Sequence, residues 1–366
     1  AAAGLLAAGE AQAADPIRFG MIAPLTGGAA ETGRYQMNGA KLAVDQINKA
    51  GGIMGRPIEL VIEDDQTTNP GAVNAFNRLG SDPGIAVFLA PIRSTQVHAI
   101  APSVAKVGKP VGFGGTDPKL TRINNPWLFR FRPSDEISAK AIVEFGSDEL
   151  KKKKWAIVHA TDAFGTSGMN LLVAALKARG ITPVTVQGFT TATQDFTPIV
   201  LAIKNSGADI MASYATAETD QAILAKQLKQ FGVDLPWLGS ASIVSATAMK
   251  LAGSDLYGTY ALSDFAPEAS PEAGAFAKAY RAAYGADPDF FASWSFDAVS
   301  VLANAIKSAN STSPQAIRQA LVDTKGFKGA EGTYDFDASG DGLHAYNIVQ
   351  NKDGVPTFVK RVEAGQ

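Results

Sequence analysis

The chain has 366 residues, which at ~150 residues per domain predicts two or three domains. Its composition, 46% hydrophobic and 19% charged with a mean hydropathy of +0.02, supplies sizeable cores and excludes disorder. Thirty-three basic against 35 acidic residues leave a formal charge of −2, and there are no cysteines. A nucleic-acid footprint, disulfides, thiolate metal sites and cysteine nucleophiles are thereby excluded together.

Residues 1–14 open with the small apolar run AAAGLLAAG and close on Ala11-Gln12-Ala13-Ala14. Ala11-x-Ala13 fits the small-residue rule for signal-peptide cleavage, so this segment reads as the tail of a secretory signal. No later stretch approaches the ~18 consecutive apolar residues of a membrane span. Together these predict an exported, periplasmic protein.

From residue 17 onward strand-like and helix-like runs alternate. Residues 17–23 form an apolar run ending at Pro24. After the loop Leu25-Thr26-Gly27-Gly28, Met37, Ala40, Val44 and Ile47 recur at helical spacing. Gly51-Gly52 ends that helix. Strands are predicted at 58–62, 85–89 and 110–113, and helices at 70–79 and 95–107. Continuous apolar strands buried on both faces by helices define a parallel α/β unit.

The polar stretch Arg132-Pro133-Ser134-Asp135-Glu136 interrupts the rhythm, which then restarts. Strands are predicted at 155–158, 184–189 and 210–214. A helix at 166–177 turns Met169, Leu172 and Leu176 inward, and another carries Leu224, Leu228 and Phe231. Phe276, Tyr280 and Tyr284 share one helix face, and residues 294–306 form a further helix. The tail, 332–359, is turn-rich with short β-prone runs. Two similar doubly wound α/β lobes are the economical reading.

Enzyme signatures fail on inspection. G-x-G-x-x-G and the Walker motif are absent, and Gly165-Thr166-Ser167-Gly168 lacks the spacing of a nucleophile elbow. The three histidines, His98, His159 and His344, stand apart. Glu63-Asp64-Asp65 reads as a solvated strand end. Residues 335–342 lack the order of a calcium loop and read as turns. No cofactor and no metal site is implied. What remains is a set of small polar loops at strand ends: Thr26-Gly27-Gly28, Arg93-Ser94-Thr95 and Gly114-Gly115-Thr116. In open α/β sheets such loops carry the ligand site, and helix amides, hydroxyls and glycines there suit a carboxylate. Ser94 and Thr116 are alternatively plain helix caps.

The run GAKLAVDQINKAGGI at 39–53 resembles the hallmark of type I periplasmic binding proteins, and most closely the leucine/isoleucine/valine-binding group of ABC importers. Ser94-Thr95-Gln96, Gly115-Thr116-Asp117-Pro118-Lys119-Leu120-Thr121, Phe164-Gly165 and Ser295-Phe296-Asp297-Ala298-Val299 support it, and the resemblance spans about residues 17–359. It implies two lobes, 15–133 plus 264–326 and 134–263 plus 327–366, with crossings near 132–135, 263–267 and 325–329.

The resemblance also implies a pocket. Ser94 and Thr116, beside Gly114 and Gly115, fall where the family holds a ligand carboxylate. Phe164 matches an aromatic that closes from the second lobe, and a family tyrosine aligns around Tyr214 to Thr216. The acid that receives an ammonium group falls at about Ala241-Ser242, where this chain has no carboxylate; Glu218 or Asp220 is the substitute. Arg93 adds a bidentate donor. The expectation is a monomeric carrier without catalytic activity that captures a small hydrophobic amino acid or related carboxylate by lobe closure and delivers it to a membrane permease. If neither Glu218 nor Asp220 reaches the cleft, an aromatic or aliphatic acid without an amine fits better, resting on Phe164, Tyr214 or Trp294. A ligand sensor on the same fold is the other alternative.

Overall fold

The computed structural model describes residues 14–363, so the signal-like segment 1–14 lies almost wholly outside the described residues. Five parallel strands build the first sheet: β1 (Ile17–Ala23), β2 (Ile58–Asp64), β3 (Ile85–Leu89), β4 (Val111–Phe113) and β5 (Leu128–Arg130), in the order β2-β1-β3-β4-β5. β1, β3, β4 and β5 are buried almost throughout, which is why they read as unbroken apolar runs rather than alternating ones.

A second sheet takes up the chain at β6 (Trp155–Ala160), β7 (Thr185–Phe189), β8 (Ile210–Tyr214), β9 (Trp237–Gly239) and β10 (Tyr260–Ser263), all parallel. After a small two-stranded ribbon, β11 (Phe327–Lys328) with β12 (Thr333–Tyr334), the chain adds β13 (Ala345–Lys352) and β14 (Val355–Glu363) antiparallel to one edge. The order is β14-β13-β10-β9-β8-β6-β7. Helices flank both sheets, giving two doubly wound lobes. Among the described residues no helix is long and apolar enough to cross a membrane.

Two helices far apart in sequence belong to the first lobe. The helix Phe290–Ala309 packs along Ala30–Lys49, and its Trp294, Val301, Leu302 and Ile306 join the core of Phe19, Met21 and Val87. Their contact is tight at Gly39, where a Cβ would stand 2.0 Å from the carbonyl oxygen of Ala292 and 2.5 Å from Ser295 Oγ. Ser295 Oγ reaches across to donate to the Gln36 carbonyl at 2.6 Å.

The ribbon segment differs from expectation. Tyr334, Phe336 and Leu343 enter the first-lobe core, with Phe336 set edge-on 5.6 Å from Phe129 and 5.3 Å from Phe131. The backbone of Arg130 exchanges hydrogen bonds with Gly340 and Gly342. Residues 327–343 therefore pack on the first lobe, and the chain passes to the second sheet at 344–345 rather than at 325–329. Short β-prone runs carry no information about which of two sheets they join. The 335–342 segment is turn chemistry: Asp337 Oδ1 accepts from the amides of Ser339 and Asp341.

Substituting Gly39→Ala should force these helices apart and cost about 2 kcal/mol, within the range for overpacking. Urea unfolding of the purified variant checks this as a lowered midpoint.

Candidate functional site

The carboxyl ends of the two sheets face each other across a cleft that holds a pocket of about 480 Å³, its mouth included. From the first lobe come Ile92, Arg93 and Ser94 after β3, Thr116 after β4 and Arg132 after β5, while Asp135 and Ser138 lie on the helix Asp135–Glu144, which packs on the second sheet. Phe164 follows β6 on the second lobe, Ala215 and Thr216 follow β8, and Ser240 to Ser242 follow β9. Leu262, Tyr346 and the pair Phe290 and Phe291 complete the wall.

Each polar group is held for a local reason. Ser94 Oγ accepts the amides of Thr116 and Asp117 at 3.1 and 3.2 Å, tying the β3 and β4 loops together and leaving its own proton to donate. It does not cap its helix: Ser94–Val107 is N-capped by Arg93 without a side-chain bond. That helix makes its first internal bonds at Gln96 and Val97, so the amides of Ser94 and Thr95 lie ahead of them at the positive end of the helix dipole. Thr116 Oγ1 donates to Asp135 Oδ2 at 2.8 Å. Arg132 donates to Asp264 and, at 3.2 Å, to the Gly114 carbonyl, while its guanidinium lies 4.9 Å over the Phe290 ring. Asp135 is 2% exposed, and burial pushes its carboxyl up to about 7.

The lobes touch on both sides of this pocket. Thr32 Oγ1 of the first lobe donates to Glu218 Oε1 of the second at 3.0 Å, and Arg93 Nη2 stands 3.8 Å from Glu218 Oε2. Across the cleft, Ser167 Oγ donates to Asp117 Oδ1 at 2.9 Å, and Asp117 Oδ2 meets His98 Nε2 at 2.8 Å.

Residues 16–355 match the family described as periplasmic binding protein. This chain belongs to that family. The Leu/Ile/Val-binding protein BraC3 of Rhizobium johnstonii is 30% identical over 328 residues, 89% of this chain and 88% of that relative. The branched-chain amino acid transporter substrate binding protein LivJ of Streptococcus pneumoniae, solved with isoleucine, has a TM-score of 0.85 at 25% identity, covering 94% of this chain and 100% of that one. A solute binding protein from R. palustris solved with benzoate reaches 0.85 at 18% identity over 95% and 97% of the chains, a likeness of fold.

Within this periplasmic-binding-protein cleft, Arg93, Ser94, Thr116, Phe164, Thr216 and Ser242 stand together on the wall. Gly114 and Gly115 lie behind it: a Cβ at Gly114 would meet Ile92 at 2.6 Å and Trp294 at 2.9 Å, and one at Gly115 would meet Leu120 at 2.6 Å. Their role is close packing. Tyr214 is also behind the wall, fully buried, bonded to Ser138 and backing Phe164 at 5.4 Å between ring centroids. Glu218 bridges the lobes instead of lining the pocket. Asp220 accepts the Ala192 amide at 3.1 Å and does not line it either. Trp294 is buried core.

Sequence reasoning missed Arg132, Asp135 and Ser138, because the polar stretch 132–136 reads as a crossing and conceals the start of the helix Asp135–Glu144. Phe290-Phe291 carried a usable signal, an aromatic pair just after the N-cap Asp289.

Replacing Glu218 by alanine removes a buried, charge-assisted link between the lobes. Ligand dissociation should quicken by about tenfold, taking ~1.5 kcal/mol for such a bond; stopped-flow fluorescence of ligand release measures it.

Proposed function

We propose that this protein is the extracytoplasmic solute-binding component of an ABC importer, a monomer that captures a small hydrophobic amino acid or related carboxylate between its lobes and delivers it to a membrane permease without transforming it. The observation that carries the reading is the mixed wall of the pocket. Ser94, the first amides of its helix and Arg93 supply hydrogen-bond donors, while Phe164, Leu262, Phe290 and Phe291 supply apolar surface. A carboxylate on a hydrophobic body fits both. The relatives, a Leu/Ile/Val-binding protein and a transporter substrate binding protein solved with isoleucine, support the same class.

The mechanism follows from the geometry. The first lobe presents the donors, so the carboxylate docks there first. Phe164, Thr216 and Ser242 then reach the ligand only when the second lobe swings in. Closure brings Glu218 onto Thr32 and Arg93, and Ser167 onto Asp117. Ligand and latches together favour the closed form, and the closed pair of lobes presents one continuous surface to a permease. Export to the periplasm accords with such a carrier.

A second reading, an aromatic acid without an amine, is favoured by one feature. Arg93 and Arg132 both stand on the wall beside Phe164, Phe290 and Phe291. Titration calorimetry with branched-chain amino acids, aromatic acids and short-chain acids tests both. Heat from hydrophobic members of the set is expected, and heat from none would overturn the proposal. Thr116→Ala should weaken binding about tenfold, the equivalent of ~1.4 kcal/mol, with the circular dichroism spectrum retained.

A further inference from the structure

We propose that Glu331 is held in the folded protein as an uncharged acid that donates its proton to Ser293, so that a proton stored beneath the cleft fixes the start of the pocket-lining helix Phe290–Ala309. The proposal goes beyond the carrier reading and is tested without a ligand.

Hydrogen-bond arithmetic at Ser293 calls for an extra proton. Ser293 Oγ lies 2.7 Å from Glu331 Oε1 and 3.3 Å from the Phe290 carbonyl oxygen. With Glu331 ionised, both of those oxygens are acceptors, and a hydroxyl carries one proton. One of the two contacts is then left without a hydrogen. A proton on Glu331 Oε1 serves both: the acid donates to Ser293 Oγ, and Ser293 donates onward to Phe290. Phe290 is the first residue of its helix and stands on the pocket wall.

The charge inventory places the proton on the same residue. Glu331, Asp264 and Asp297 are all buried, and Arg132 is the cation that faces them. Three ionised carboxyls would leave two negative charges uncompensated in the interior. Asp264 is paired with Arg132. Asp297 has no cation but has three donors, the amides of Ala330 and Glu331 at 2.8 Å and the Tyr334 hydroxyl at 3.2 Å. Glu331 has neither. Ser293 is its side-chain partner, and Glu331 Oε2 is buried without one, as is Asp264 Oδ1. Burial, and then the charges of Asp264 and Asp297, push the Glu331 carboxyl well above its ordinary range. The remaining titratable groups at this cluster are the phenols of Tyr334 and Tyr346, which burial keeps uncharged.

Loss of the proton would leave one Ser293 contact without its hydrogen and add a negative charge beside Arg132, whose guanidinium covers the Phe290 ring. The corner of the pocket built by Arg132 and Phe290 is therefore firmest with the proton in place. Proton linkage has a definite sign. The unfolded chain releases this proton around the ordinary value of 4.5, whereas the folded chain holds it to higher pH. The stability it contributes is complete below that value and is lost as pH rises toward the folded one.

Two measurements on the purified wild type and Glu331→Gln test the proposal. Glutamine has the shape of the neutral acid and donates through its amide. In infrared difference spectra near neutral pH, wild type minus variant should show the carbonyl band of a protonated carboxyl and no carboxylate band. Asp135 and Asp297, each raised to about 7, are present in both proteins and cancel. In urea unfolding, the folding equilibrium constant of the variant relative to wild type should rise about tenfold per pH unit between about pH 5.5 and 7. A carboxylate band in the difference spectrum, or a ratio that does not change with pH, would overturn the proposal. Should the glutamine variant not fold, Glu331→Met, also uncharged, takes its place. Failure of both to fold would itself overturn the proposal, because the position is then one that needs a charge. A negative result here leaves the hydrophobic-carboxylate reading intact, since ligand calorimetry alone decides that.

Discussion

The cleft depends on one buried cation. Arg132 sits where the chain first leaves the first lobe. It donates to Asp264, where the chain returns, and to the Gly114 carbonyl behind the pocket wall, and its face covers Phe290. Around it the interior is rich in carboxyl groups. Burial raises Asp264, against the pull of Arg132. Asp297 is pushed up to about 7 by burial, and Glu331 well above its ordinary range by burial and by Asp264 and Asp297. Glu331 is hydrogen-bonded to Ser293 at 2.7 Å, and Asp297 accepts the amides of Ala330 and Glu331 at 2.8 Å, tying the last first-lobe segment to the helix beneath the cleft. Removing one partner of a buried pair of this kind costs about 3–5 kcal/mol. The two neighbouring crossings are therefore held in fixed relation, and the lobes can turn about them without coming apart.

That constraint explains why the pocket lies on a boundary. Strand ends of two separate sheets supply the wall, Arg93, Ser94 and Thr116 with Phe290 and Phe291 from one lobe and Phe164, Thr216 and Ser242 from the other, and neither lobe alone encloses a ligand. Polar contacts join the lobes, Glu218 with Thr32 and Arg93, Ser167 with Asp117, Thr116 with Asp135 and the Ala246 amide with Asp289, and Ala241 and Ala246 also pack against the first-lobe core. Polar latches can exchange their partners for water on opening, so each contributes only modestly to holding the lobes together. A carrier that must both hold and release its cargo needs that balance.

The sequence made the alternation of strands and helices legible because buried parallel strands read as apolar runs and flanking helices repeat at their own period. β1 and β3 were predicted with the bounds they have. Ser94 and Thr116 were legible because strand-end loops of small polar residues have a limited set of uses. Three things were hidden. β5 has three residues, too few to show a period. The 327–343 segment could join either sheet, and only the seating of Phe336 on Phe129 and Phe131 decides it. Asp135 looked only like part of a crossing, but it is also the first residue of a helix that packs on the second sheet and reaches the pocket wall. Glu218 shows the opposite error: a carboxylate close to the cleft in sequence order is spent on joining the lobes.

The central claim is that a small acid is held between the lobes by groups from both. A crystal structure of the protein with its calorimetrically identified ligand tests it most directly. The account predicts density for a carboxylate at Ser94 and the first amides of its helix, with the hydrophobic body against Phe164, Phe290 and Phe291. Ligand density outside this cleft, or contacts to one lobe alone in a closed molecule, would contradict it.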